Sequence, residues 1–490
     1  MILMWLKDKL AHLEPQNDLT ATEVNGGLKY ITYAGLSFQV METIISGALL
    51  FNWALQLGAN NFVIGLLASL PYITQIVQIP SMFLIEAKAK NKKISVAFAF
   101  LARFMVIFVA IAGLITDNHF ALDLIVMALM FRYLFSGIMS PAWSVWMHEF
   151  VPQNIMGGFF ARRLLLMTFV SILTGLSIAK LVDVAMAYSS VAGTYVYALI
   201  FFVAFLAGML SVYHIYKIPE KKYQPVPMNQ GMRQLLILPF KDANFRHLIV
   251  FLSVWQFAVN LATPFFTVQM LKTLQLPLTT VIFLTILSQI FYILTIRVWG
   301  KIADKFGNKP VLSVCAPMLV LTIFAFIFTE NSMGHNFLIW LLVAIHVVMG
   351  VANAGIALGV NNISLKLAPA TGSSSYLAVV GFFNSFFAGV APILGGLFAD
   401  FFVSRELSVM FQWSSPIEDI LISPLNFRNL DFFFLFAGIF GFFSLHLLDK
   451  VNEGEKISEK AVFKEFTAEA KHKLSSLEKM AFWSKNHIKP

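Results

Sequence analysis

The chain has 490 residues, of which 58% are hydrophobic, 50 are phenylalanine and only 12% are charged, where a soluble domain carries about 25% charged residues. This balance excludes a single soluble core. The formal charge of +9 falls in alternate loops, which is the positive-inside pattern of a membrane protein and not a nucleic-acid-binding face.

The opening MILMWLKDKLAHLEP lacks a long apolar run followed by small residues, so no removable signal peptide is expected. Its Ile2, Leu3, Trp5, Leu6, Leu10 and Leu13 predict a short amphipathic helix on the cytoplasmic surface. A hydrocarbon core of about 30 Å needs about 20 apolar residues per crossing, and twelve stretches meet that length. The first six run from Leu28 to Gly58, Phe62 to Ile85, Ile94 to Ile115, Ala121 to Pro141, Leu164 to Val184 and Thr194 to Tyr216. The second six run from His247 to Leu271, Leu278 to Trp299, Val311 to Phe328, Phe337 to Ala357, Tyr376 to Phe402 and Phe432 to Leu448.

The longest polar interruption, Lys217 to Arg246, splits these spans six and six. The expected organisation is therefore an N-terminal segment 1–27, a six-helix bundle 28–216, a linker 217–246, a second bundle 247–448 and an amphipathic tail 449–490. The tail places Val462, Phe466, Ala470, Leu474, Leu477 and Ala481 on one helical face. The loop 403–430 is a lid or an elaborated connection.

One set of connections carries Lys88, Lys90, Lys92, Lys93, Arg162, Arg163, Lys217, Lys221, Lys222, Arg233, Lys241, Lys301, Lys305, Lys309 and Lys366; the other carries chiefly Lys272, Arg405 and Arg428. Both termini are accordingly expected in the cytoplasm, with the chain a multi-pass plasma-membrane protein, in the inner membrane if the source is bacterial. The lone Cys315 forms no disulfide within the chain and fits no metal-ligand spacing.

The connection after the eighth span reads Gly300-Lys-Ile-Ala-Asp304-Lys305-Phe-Gly307-Asn-Lys309. It resembles the signature loop of the major facilitator superfamily, Gly-x-x-x-Asp-Arg/Lys-x-Gly-x-Arg/Lys. The eleventh span adds Gly389-Val-Ala-Pro392-Ile-Leu-Gly395-Gly396, which resembles that superfamily's Gly-x-x-Pro-x-x-Gly-Gly segment. Small residues there allow close helix approach. The first-half loop PSMFLIEAKAKNKKIS keeps Lys92 and Lys93 but lacks the glycines, and the fifth span lacks the drug-antiporter motif.

The resemblance implies an all-α membrane fold of twelve helices in two pseudo-symmetric six-helix bundles that carries a small solute by alternating access. It further implies a gating loop of Gly300, Asp304, Lys305, Gly307 and Lys309, with Asp304 near Arg162 or Arg163 at the start of the fifth span. Spans one, four, seven and ten would surround a central cavity.

Each of those four spans carries polar residues at helical spacing: Gln39, Glu42 and Ser46; Arg132, Ser136 and Ser140; Gln256 and Asn260; His346 and Asn353. A charge at the hydrocarbon centre costs about 2.5–3.5 kcal/mol on insertion scales, so it normally faces a cavity or a partner. Glu42 and Arg132 are expected counter-ions, with Glu42 the proton-coupling carboxylate and Arg132 an anchor for an anionic or zwitterionic solute. Arg103, about 15 Å into the third span, is either a structural ion or part of a substrate path.

No phosphate-binding loop, HExxH, GxSxG or cluster of metal ligands occurs, so neither an ATPase, another enzyme, a cofactor nor a metal is expected. The expected partners are a small-molecule solute, protons and membrane lipid, with the chain monomeric. The alternatives are a multidrug or metabolite exporter of the same fold and a non-transporting solute sensor or scaffold.

Overall fold

A computed structural model describes residues 13–78, 80–82, 90–222, 232–329, 334–369, 373–414, 419–454 and 460–469. The N-terminal amphipathic segment up to Leu10, residues 83–89 of the first-half loop and the tail positions Ala470 to Ala481 lie outside them. Among the described residues, eleven helices are long and apolar enough to cross a membrane, and a shorter apolar helix at Asn61–Val77 occupies the second position.

The first span is α1 (Ala21–Ile44) followed by α2 (Gly47–Gln56). Thr20 and Glu23 form a reciprocal capping box that starts α1. The predicted continuous rod is interrupted at Ile45 and Ser46, where Gly47 takes φ +59. The second span is α3 (Asn61–Ile73) with a 3-10 turn at Thr74–Val77 after Pro71; proline removes a backbone donor there. The third is α4 (Asn91–Phe104) and α5 (Val106–Ala112), broken at Met105. The fourth to sixth are α6 (Asn118–Phe150), α7 (Met156–Tyr188) and α8 (Ser190–Lys217).

After a short helix α9 (Met232–Lys241), the seventh span is α10 (Ala243–Val268) closing on a π turn at Gln269–Thr273. The rest are α11 (Leu278–Phe306), α12 (Asn308–Ile327), α13 (His335–Leu367), α14 (Ser373–Phe402) and α15 (Leu430–Asp449). The loop 403–430 forms an antiparallel hairpin of β1 (Glu406–Ser414) and β2 (Asp419–Arg428), with a register irregularity between Val409 and Phe411. A tail helix, α16, covers 460–469.

Two compact units emerge. The first comprises residues 1–231 with 263–283 and 385–403, and the second comprises 232–262, 284–384 and 404–490. In the first, α1 packs on α7 and α8, and α4 on α6, around a core that includes Ile31, Ala99, Trp146, Phe150 and Ile215. In the second, α12 packs on α13 and α15, around Phe245, Trp255, Trp299, Cys315 and, from the tail, Val462. The outward rows are apolar as well. Leu165, Phe169, Leu173, Leu181 and Val184 of α7 are exposed, which suits lipid and not water.

Candidate functional site

Within the first unit, Glu42 of α1 and Arg132 of α6 form an ion pair between Arg132 Nη2 and Glu42 Oε2. The guanidinium side chain is 3% exposed and the carboxylate side chain 26%, so the pair meets solvent through its acid. The Arg132 guanidinium lies 4.1 Å from the centre of the Tyr133 ring, while its Nε and Nη1 have no hydrogen-bond partner. Three carbon–carbon steps of glutamate and the longer arginine bridge two helices that neither side chain alone would join. The first span breaks one turn beyond Glu42, and Ser46 Oγ donates to the Glu42 carbonyl at 2.6 Å. Local unwinding beside an intramembrane charge is a recurring feature of carrier sites.

Gln39 turns toward α7. Its Nε2 donates to Thr43 Oγ1 at 3.3 Å, and Thr43 Oγ1 meets Ser171 Oγ at 2.9 Å. In the second unit, Asn260 Nδ2 donates to the Gln256 carbonyl at 2.8 Å and to Gln256 Oε1 at 3.0 Å, so these two predicted residues satisfy each other along α10. His346 is buried, its Nδ1 2.8 Å from the Leu342 carbonyl and its ring edge-on to Phe326. Asn353 is half-buried on α13. Glu42 and Arg132 are thus brought together in one unit, and Gln256 with Asn260 in the other.

The signature loop divides differently from a simple turn. Gly300, Asp304 and Lys305 belong to the end of α11, and only Gly307, at φ +93, makes the left-handed corner into α12. Asp304 is exposed, with no hydrogen bond or ion pair among the described residues. Arg163 donates from Nε to the Ile31 carbonyl at 3.2 Å and packs on Gly35. The start of α12 is instead served by Glu453, just past α15, whose Oε1 and Oε2 accept from the Asn308 and Lys309 amides at 3.1 and 2.5 Å. Lys309 Nζ caps the α15 end at the Asp449 and Val451 carbonyls. Burial alone would raise the Glu453 carboxyl, but these amides, the Asn308 side chain and Lys366 outweigh it and hold it below the ordinary range.

The first unit repeats this device. Glu220, just past α8, accepts the Lys92 amide at 3.1 Å at the start of α4. Its Oε2 has no partner, and burial raises this carboxyl despite Lys92. Residues 14–16 fasten the same place: Glu14 pairs with Lys93, and Gln16 exchanges backbone bonds with Glu220 and Lys222 at 2.9 and 2.8 Å.

Two carboxylates near helix ends hold the starts of other helices. Asp183, near the end of α7, accepts from the Leu278 and Thr279 amides at 3.0 and 2.9 Å. Asp400, near the end of α14, accepts from the Asn61 and Phe62 amides at 3.0 and 2.9 Å. The two acids and the two helix starts are offset by the same number of residues, which marks an internal repeat. Each acid sits at the unfavourable end of its own helix dipole and at the favourable end of another. The eleventh-span motif lies beside the second latch: a Cβ on Gly65 would come within 2.0 Å of the Pro392 carbonyl oxygen, and one on Gly396 within 2.4 Å of the Asn61 oxygen.

Residues 248–483 match the family model described as Major Facilitator Superfamily. That match spans 236 of the 490 residues, all of them in the second half of the chain. The described helices are those of a multi-pass membrane protein. No curated relative matches it by sequence. Among solved structures, the nucleoside transporter NupG is 14% identical with a TM-score of 0.61, covering 90% of this chain and 99% of that one. The xylose transporter XylE from E. coli, in an inward open conformation, is 14% identical at a TM-score of 0.62, covering 90% and 99%. A D-xylose-proton symporter is 14% identical at 0.64, covering 88% and 98%. At these identities the likeness is one of fold.

Proposed function

We propose that the chain is a secondary active transporter that moves a small solute by alternating access, with Glu42 as its proton-coupling carboxylate and Arg132 as the counter-ion. The observation that carries this reading is the Glu42–Arg132 pair: it ties two helices together inside an apolar bundle while leaving only the acid open to solvent. A proton delivered to Glu42 forms an O–H bond at the carboxylate and removes the attraction between α1 and α6, so occupancy by a proton and the relation of the two helices are linked. One solved transporter of the same fold is a D-xylose-proton symporter.

Gln39, Gln256, Asn260, His346 and Asn353 complete the proposed pathway, and residues 300–309 the gating loop. The distribution of basic loops supports a plasma-membrane carrier with both termini in the cytoplasm. The solute is an anion or a zwitterion, because two arginines lie deep in the first bundle.

Flux in proteoliposomes tests the reading. A solute panel is applied with and without a proton gradient, imposed in each direction in turn, and Glu42→Gln is compared with wild type. Gradient-driven accumulation that Glu42→Gln abolishes is expected; accumulation that ignores both the gradient and the substitution refutes it.

A further inference from the structure

Three charged groups, not two, lie in this part of the first unit. Arg103 of α4 is 5% exposed and within electrostatic reach of both Arg132 and Glu42. Its Nη1 donates to the Ala99 carbonyl at 3.2 Å and touches Met139 Sδ at 3.6 Å, its guanidinium lies 5.3 Å from the Phe38 ring centre, and its Nε has no partner. Among the described residues, no carboxylate pairs with it. Phe38 lies one turn before Glu42 on α1, and Met139 lies two turns after Arg132 on α6, so Arg103 sits one layer from the ion pair. Gly208 of α8 makes the room: a Cβ there would meet Met41 Sδ at 2.7 Å and Arg103 Cγ at 3.2 Å.

The other groups facing this cluster do not balance it. Tyr133 of α6 and Tyr72 of α3 are phenols, neutral near pH 7. On α7, Arg163 lies two turns away beside Gly35, and Thr43 meets only Ser171. On α8, His214 lies against Tyr30 and Tyr33. The end of α4 offsets at most about half a charge of Arg103. Two guanidiniums and one carboxylate therefore leave an excess of one positive charge inside an apolar bundle, where unbalanced charge is disfavoured. Three N–H-bearing nitrogens point to the missing component.

We propose that Arg103 sets the charge selectivity of this carrier, so that its cargo is a monoanion of the carboxylate type, bound at Arg132 while Glu42 stays ionised. This deepens the transport reading and rests on it. A monoanion brings the cluster to neutrality; a zwitterion or a neutral solute leaves the excess in place, and a dianion overshoots it. Arg103 acts through the field and through the packing of Phe38 and Met139, as a positioning residue, and Arg132 makes the contact through its unpartnered Nε and Nη1.

The test is a matched panel against the purified full-length protein in detergent, read by ligand-dependent thermal stabilisation: benzoate and lactate, their neutral amides, the dianion malonate, chloride and inorganic phosphate. Wild type is expected to bind a carboxylate at least tenfold more tightly than its amide. Arg103→Lys keeps that preference, and Arg103→Gln loses it. Glu42→Gln, which raises the excess to two, moves the preference from monoanion to malonate.

Equal response to acid and amide, response to chloride or phosphate only, or no response to any monoanion in wild type each overturns the proposal. So does an Arg103→Gln protein that keeps the acid preference; should that variant not fold, the Arg103→Lys and Glu42→Gln arms decide. Transport that still requires Glu42 while Arg103→Gln leaves charge selectivity untouched would sink this inference alone and leave the transport reading standing.

Discussion

Glu453→Ala removes more than a surface acid. In the native protein its side chain is 5% exposed in the ion pair with Lys366 and accepts four bonds: two amides that start α12, the Asn308 side chain at 2.7 Å and Lys366 Nζ at 3.2 Å. An N-cap is worth about 1 kcal/mol, and a hydrogen bond to a charged group about 1.5–3 kcal/mol when buried. The Lys366 ammonium is half in water, so that pair adds little. Counting the cap and one further buried charged bond gives a loss of about 3 kcal/mol, and Glu453→Gln, which keeps one acceptor, about half of it. The carboxyl is held low in the folded state, so its contribution is complete above the ordinary carboxylate range, near pH 4–5, and is lost as pH falls through the lowered folded value. Unfolding in mixed detergent micelles measures the difference, and hydrogen exchange of the Asn308 and Lys309 amides localises it. A loss under about 0.5 kcal/mol, or unchanged exchange at those amides, would refute the capping role.

Glu42→Gln strands the buried Arg132 guanidinium and should lower stability by about 3–5 kcal/mol, whereas Glu42→Gln with Arg132→Leu recovers most of the folding and none of the transport; thermal scans beside flux show both. Asp183→Asn and Asp400→Asn should each cost about 1 kcal/mol and increase thiol labelling of cysteines placed at Thr279 and Phe62, while unchanged labelling would deny the caps a latching role. The tail helix lies on the end of α11 through Trp299–Phe466 stacking at 4.4 Å and the pairs Lys301–Glu469 at 2.9 Å and Lys305–Glu465 at 2.7 Å. Phe466→Ala should therefore release it to proteolysis more readily than Glu465→Gln, because exposed ion pairs contribute about 0–1 kcal/mol.

Most of the fold was legible because a bilayer imposes a length and a composition on each crossing. Glu42 and Arg132 stood out because charge is rare in such stretches; Arg103 was equally visible, and spacing alone did not tell which of the two arginines the acid would meet. The breaks at Ser46 and Met105 were not legible, since neither site has a proline. Asp183 and Asp400 lie near the C-terminal ends of their own helices, where acids are disfavoured, and that is the sequence signal that they serve other helices. Glu453 and Glu220 were hidden because a cap supplied from far along the chain leaves no local pattern, so Asp304 drew the expectation instead. His346 shares a helical face with Asn353, and spacing alone does not tell a pathway residue from one held against Phe326.

The central claim is that Glu42 faces the two sides of the membrane in turn. Ser46, one turn away, is half-buried, and the native Cys315 is 0% exposed, so Ser46→Cys gives a single reactive thiol. In oriented vesicles an impermeant thiol reagent should label it from either side when applied separately, with Glu42→Gln changing the ratio. Labelling from one side only, under every pH gradient and in both backgrounds, would contradict alternating access at this site.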